Sequence, residues 1–185
     1  EFSPMLASHA SKITSNEKLF SRIREIFEQI DTLNLLPEEH RLLEKIYRDY
    51  VRAGAALDDQ SKERMKDIKK QLSILGTKFS QNLLADERSW YLELSLQDQN
   101  LLPDFLVEAA SKAADEKGIT NPIITLSRSI ITPFLKFSPN RKLRKQAQQA
   151  WVSRGMQKEE TDNRPIAREI LALRRQMADL LGYKN

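Results

Sequence analysis

Apolar residues recur at three- and four-residue steps along most of this chain, the spacing of helices that bury one face. The first stripe is Leu19, Phe20, Ile23, Phe27 and Ile30. Thr14-Ser15-Asn16-Glu17 precedes it and reads as a capping box, the Thr14 hydroxyl accepting from the Glu17 backbone N–H while the Glu17 carboxylate reaches back. A second helix is expected from Pro37, a favoured first-turn residue, with Glu38 and Glu39 placed to suit the dipole. Its inner face should be Leu42, Leu43, Ile46, Tyr47, Tyr50 and Val51, and "RAGAAL" ends it. Asp58 or Asp59 then caps a third helix, expected from about Lys62 to Ala85 and roughly 36 Å long at about 1.5 Å per residue. Met65, Ile68, Leu72, Leu75, Phe79 and Leu83 make it the expected spine of the core.

The period then shortens to two. In "WYLELSL", Trp90, Leu92, Leu94 and Leu96 fall on one side and Tyr91, Glu93 and Ser95 on the other, as in a half-buried strand. Pro103 opens a short helix with inner face Phe105, Leu106, Ala109, Ala110 and Ala113, and Gly118 closes it in a left-handed cap. "PIITL", Pro122 to Leu126, is the antiparallel partner of the earlier strand. Pro133 limits "SIITPFLKF" to a short helical segment. Ser138-Pro139 caps a helix running to Arg154-Gly155. The last helix begins near Asp162 or Asn163, with the stripe Ile166, Ile170, Leu173, Met177 and Leu180, and Gly182 closes it. The predicted fold is mainly α: a multi-helix domain with long antiparallel helices and one small two-stranded β-ribbon, about 90–94 with 122–126. Short loops and the lack of an alignable repeat predict a single domain over 1–185.

Composition agrees with this. The 185 residues include 40% hydrophobic and 30% charged side chains, ordinary for a soluble helical protein. Only 5 are Gly, against a turn-rich β architecture, and there is no Cys, which excludes disulfides and thiolate metal sites and suits the cytoplasm. No apolar run approaches the roughly 20 residues of a membrane span. Glu1-Phe2-Ser3-Pro4 has neither a basic leader nor an apolar stretch, and Met5 does not look like a start. The net charge of +4 is interspersed in sign, as on a solvated surface rather than a nucleic-acid footprint.

Candidate chemistry is sparse. His40 and Glu44 share a helix face, but two ligands fall short of the three a hydrolytic zinc needs, and His9 is the only other imidazole. Gly-x-Ser-x-Gly is absent, and the glycines at 54, 76, 118, 155 and 182 are too scattered to cradle a phosphate. "RKLRK", Arg141 to Lys145, is the densest basic run. Its cations oppose the dipole of the helix they open, so acidic partners elsewhere in the fold are expected to compensate. Trp90 and Trp151 are expected as core or core-edge anchors rather than stacking platforms.

Three stretches carry a resemblance: "DYVRAGAALDDQSKERMKDIKKQLSILGTKFSQNLLAD", "ITLSRSIITPFLKFSPNRKLRKQAQQAWVSRG" and "TDNRPIAREILALRRQMADLLGY". In order and spacing they resemble the thimet oligopeptidase-like zinc metallopeptidases, from about Pro4 onward, and most of all the bacterial peptidyl-dipeptidases (dipeptidyl carboxypeptidases). Other members often carry Tyr just before the Pro of the middle stretch, where this chain has Ile131-Thr132-Pro133. The resemblance implies a two-lobed, mostly helical protease with a deep channel, which hydrolyses short peptides with one zinc. Two His of an H-E-x-x-H helix and a distant Glu would hold that zinc, and the motif Glu would serve as general base. None of these residues carries over, because the 185 residues contain no H-E-x-x-H.

The resemblance therefore implies a fragment of the non-catalytic N-terminal half of a larger hydrolase, with no catalytic, cofactor-binding or metal residue of its own. It would form part of the substrate-channel wall and be inactive alone. Zinc belongs to the parent enzyme, a cytoplasmic monomer releasing C-terminal dipeptides. Partners would be short peptide substrates through the parent and the remainder of the same chain, with no nucleic acid and no membrane. The alternatives are a stand-alone helical protein-interaction module and, less favoured, a nucleic-acid-binding domain using Arg141–Lys145. Under the fragment reading "ILALRRQMADLLGYKN" is a cut edge, and Leu173, Met177 or Leu180 should be partly exposed.

Overall fold

The computed structural model describes residues 6, 9, 10 and 12–184. The opening Glu1–Pro4 and Met5, read above for a leader and a start, lie outside the described residues. Contacts divide the chain into two compact units, Glu1–Leu72 with Leu171–Asn185, and Ser73–Ile170.

In the first unit, α1 (Glu17–Glu28) is capped by Asn16, whose side-chain oxygen accepts from the Leu19 N–H at 3.0 Å. The expected Thr14 cap is corrected: residues 12–14 are already helical, and the Thr14 hydroxyl donates to the Ala10 carbonyl. Helix α2 (Pro37–Arg52) starts as predicted, with the Glu39 carboxylate accepting from the Leu36 N–H at 2.9 Å. Rings join the two helices. Phe27 stacks on Tyr47 at 3.9 Å between centroids, and Phe20 lies 5.9 Å from Tyr47 and 6.2 Å from Tyr50. That aromatic seam turns Leu42 and Ile46, expected inside, out to solvent at 56% and 37% exposure.

Gly54 sits at φ +95°, a conformation that ends α2 sharply. The Asp58 carboxylate then accepts from the Ser61 N–H at 2.9 Å at the start of α3 (Asp59–Ser89). With 31 residues this helix is about 46 Å long, longer at both ends than predicted. Met65 and Ile68 are buried. The unit also holds the end of the last helix, where Gly182 (φ +76°) and Tyr183 return N–H bonds to the Asp179 and Ala178 carbonyls. This is a Schellman closure. Leu173 is buried, while Met177 and Leu180 are half-buried, so the predicted exposure falls on the latter two.

The second unit holds the main core. β1 (Tyr91–Glu93) pairs antiparallel with β2 (Ile123–Thr125) in the register Tyr91↔Thr125, Leu92↔Ile124, Glu93↔Ile123, the predicted ribbon. Leu96 was expected to extend the strand face but is 78% exposed. The reason is Ser95, whose hydroxyl oxygen accepts from the Asp98 N–H and starts a one-turn helix, α4 (Leu96–Gln99). Helix α5 (Asp104–Asp115) buries Leu106, Ala110 and Ala114, four apart on one line. Phe105, expected inside, is one residue off that line and 55% exposed.

Helix α6 (Arg128–Phe137) runs through Pro133 instead of stopping near it. The proline forfeits one helical N–H bond, and burial of Ile130, Ile131 and Phe134 around it offsets the loss. Helix α7 (Arg141–Val152) is capped by Asn140, not by Ser138-Pro139. The Asn140 side-chain oxygen accepts from the Lys142 and Leu143 N–H groups at 3.1 and 3.2 Å. Leu94, Leu106, Ile124, Ile131, Phe134 and Ala147 lead the core cluster, and Trp90 and Trp151 pack at its edge as expected. No residue of α3 belongs to that cluster, so the long helix is not the spine it was expected to be. The last helix, α8 (Asn163–Leu180), begins in this unit with Ile166 buried.

Candidate functional site

The most organised polar feature lies in the second unit. Asp86 falls three residues after Leu83 on the apolar stripe of α3 and is fully buried. Its carboxylate accepts from the Gly155 N–H at 2.7 Å, the Gln157 N–H at 3.3 Å and the Thr161 hydroxyl at 2.6 Å. These three donors fold the loop after α7 back onto α3. Asn163 completes the clamp: its N–H donates to the Gly155 carbonyl at 2.7 Å, and its side-chain amide donates to the Phe79 carbonyl at 3.0 Å. The Asn82 amide donates to the Asn163 side-chain oxygen at 3.0 Å. Gly155 has φ +74°, and a Cβ there would lie 2.8 Å from the Asn163 side-chain nitrogen, so this loop accepts only glycine without strain.

Glu87 and Arg154, next in sequence to Asp86 and Gly155 of the clamp, line an open groove of about 820 Å³. Arg154 forms an ion pair with Glu87, and its guanidinium stacks 3.5 Å from the Trp151 ring centre. Across the groove Lys117 donates to the Arg88 carbonyl at 2.7 Å, and Thr125 to Arg128 line its floor. Charges of both signs and one indole line the groove. Neither His lines it, and it contains no nucleophile paired with a base.

The motifs singled out in the sequence do not converge. His40 Nδ1 lies 3.8 Å from the Glu44 carboxylate, on an exposed face where Arg41 also reaches Glu44. Among the described residues no three His, Cys, Asp or Glu side chains come together as a group that could hold a metal. At the Arg141–Lys145 helix start a carboxylate does stand nearby. Asp98 accepts from the Asn140 side-chain amide at 2.9 Å. The Ser95 hydroxyl first, and then that amide, hold the Asp98 carboxyl below the usual carboxylate range. The Asp86 clamp was not anticipated from the sequence, although a lone carboxylate on an apolar stripe was a readable signal.

The model of peptidase family M3 matches residues 134–185. Dipeptidyl carboxypeptidase of Escherichia coli is 30% identical over the whole chain, which spans 28% of that protein. The chain is similar to peptidases of family M3 along its whole length. Oligopeptidase A of Salmonella typhimurium is 27% identical over 98% of the chain and 28% of its own length. Probable cytosolic oligopeptidase A of Arabidopsis thaliana is 30% identical over the whole chain, 27% of its own length. The chain thus spans somewhat over a quarter of each of these three relatives, and two kinds of peptidase stand at similar identity. Among the described residues no helix is long and apolar enough to cross a membrane.

Proposed function

We propose that this chain is one domain of the non-catalytic N-terminal region of an M3 zinc peptidase, a cytoplasmic monomer that releases dipeptides from the C-termini of short peptides. The observation that carries this reading is the match to Escherichia coli dipeptidyl carboxypeptidase along the whole chain. Its part in catalysis is to build a wall of the peptide channel, not to supply chemistry. The groove beside Trp151 and Arg154 is the surface this reading assigns to peptide contact. The lack of H-E-x-x-H in the 185 residues supports the inactivity of the chain alone. Neither nucleic acid nor membrane is a partner.

Product analysis of the full gene product on a nine-residue peptide with a free C-terminus tests the activity. Sequential loss of dipeptides from the C-terminus is the expected result. Cleavage only at internal bonds would move the enzyme to the oligopeptidases, and no cleavage would overturn the reading.

A further inference from the structure

The α1–α2 pair of the first unit carries apolar side chains that are exposed among the described residues. Leu19 and Ile26 of α1 are 37% and 49% exposed, and Leu42 and Ile46 of α2 are 56% and 37% exposed. The ring contacts fix where these side chains point. Phe20 and Phe27 of α1 meet Tyr47 and Tyr50 of α2, the later α1 residue meeting the earlier α2 residue, so the helices run antiparallel. Leu19 and Ile26 each precede a seam Phe by one residue, and Ile46 precedes Tyr47 by one, with Leu42 one turn before it. One residue turns a helix by about 100°. In an antiparallel pair of right-handed helices, stepping back one residue on each rotates both to the same side. The four side chains therefore form one stripe across the pair, and Leu33 and Leu36, also exposed, extend it at the connection.

We infer that this stripe is the docking face for another part of the same M3 polypeptide, an apolar surface in the portion of the fold that the chain does not span. The inference rests on the function proposed above. Relatives such as Escherichia coli dipeptidyl carboxypeptidase have about 72% of their length outside the matched span, from the 28% covered, so such a surface is available. Size argues against a second copy. Four half-exposed Leu and Ile side chains offer on the order of 300 Å², well below the roughly 800 Å² per partner of a stable dimer. A tethered partner needs far less area, because little translational freedom is lost on docking.

The double substitution Leu42→Glu with Ile46→Glu tests this in two proteins. In the 185-residue chain both sites face water, so helical circular dichroism and Tm should stay within about 2 °C of the parent. In the full gene product the same pair should lower Tm by about 5–10 °C and deprotect α1 and α2 amides in hydrogen exchange. Equal Tm and equal protection in the full product would overturn the inference, as would a gene that encodes no further segment. So would a 185-residue chain that sediments as a dimer and becomes a monomer on substitution, which would assign the face to a second copy. Loss of fold in the short variant would place these residues inside a core and overturn it too. Dipeptide release by the unsubstituted full product reports separately on the proposed function, so failure of the one is distinguishable from failure of the other.

Discussion

The Asp86 carboxylate is buried and carries three hydrogen bonds, so its removal leaves the Gly155 and Gln157 N–H groups without their acceptor and the Thr161 hydroxyl with only the Lys158 carbonyl at 3.4 Å. Asp86→Ala should cost about 3 kcal/mol, read as a lower urea midpoint with unchanged slope, and a loss below about 1 kcal/mol would show that the loop is held by other contacts. Gly155→Ala should destabilise as well, because it adds both left-handed strain and a 2.8 Å clash with Asn163. Asp98 gives the pH dependence. Its carboxyl is depressed in the folded state, so its contribution is complete above the unfolded value of about 3.9 and is lost as pH falls through the lower folded value. Asp98→Asn should flatten the acid side of the stability profile, and an unaltered slope below pH 4 would contradict this. At this scale the sequence misleads where two residues compete for one role. Thr14 and Asn16 both suit a cap, and only the helical turn before Thr14 decides between them.

Among the elements, α7 depends most on a single residue. Asn140 accepts two N–H bonds at its first turn and ties the turn to Asp98 beside a run of cations that oppose the dipole. Asn140→Ala should cost about 1–2 kcal/mol, more than Asn16→Ala at the exposed start of α1, and denaturant titration of the two variants ranks them. Helices and the ribbon were legible because period and turn residues agree: Pro37, Gly118 and the alternation from Trp90 to Leu94 each have one reading. Buried faces were less legible. Leu42, Ile46 and Phe105 have the right period for burial, yet the neighbouring element sits a quarter-turn away. Pro133 reads as a limit because nothing in the sequence outweighs its helix-breaking propensity, whereas in the fold the burial around it does.

For the whole molecule, the family likeness was legible in three stretches of matching order, while the groove was not. Its lining comes from four separate segments that only the fold brings together. The central claim is that this chain shapes a zinc peptidase without holding its zinc. The direct measurement is metal content by plasma emission, on the 185-residue chain and on the full gene product purified side by side without chelators. The account predicts about one zinc per full-length molecule and substoichiometric zinc, below about 0.1, on the chain. Stoichiometric zinc on the chain, or a full product that is folded and zinc-free, would contradict it.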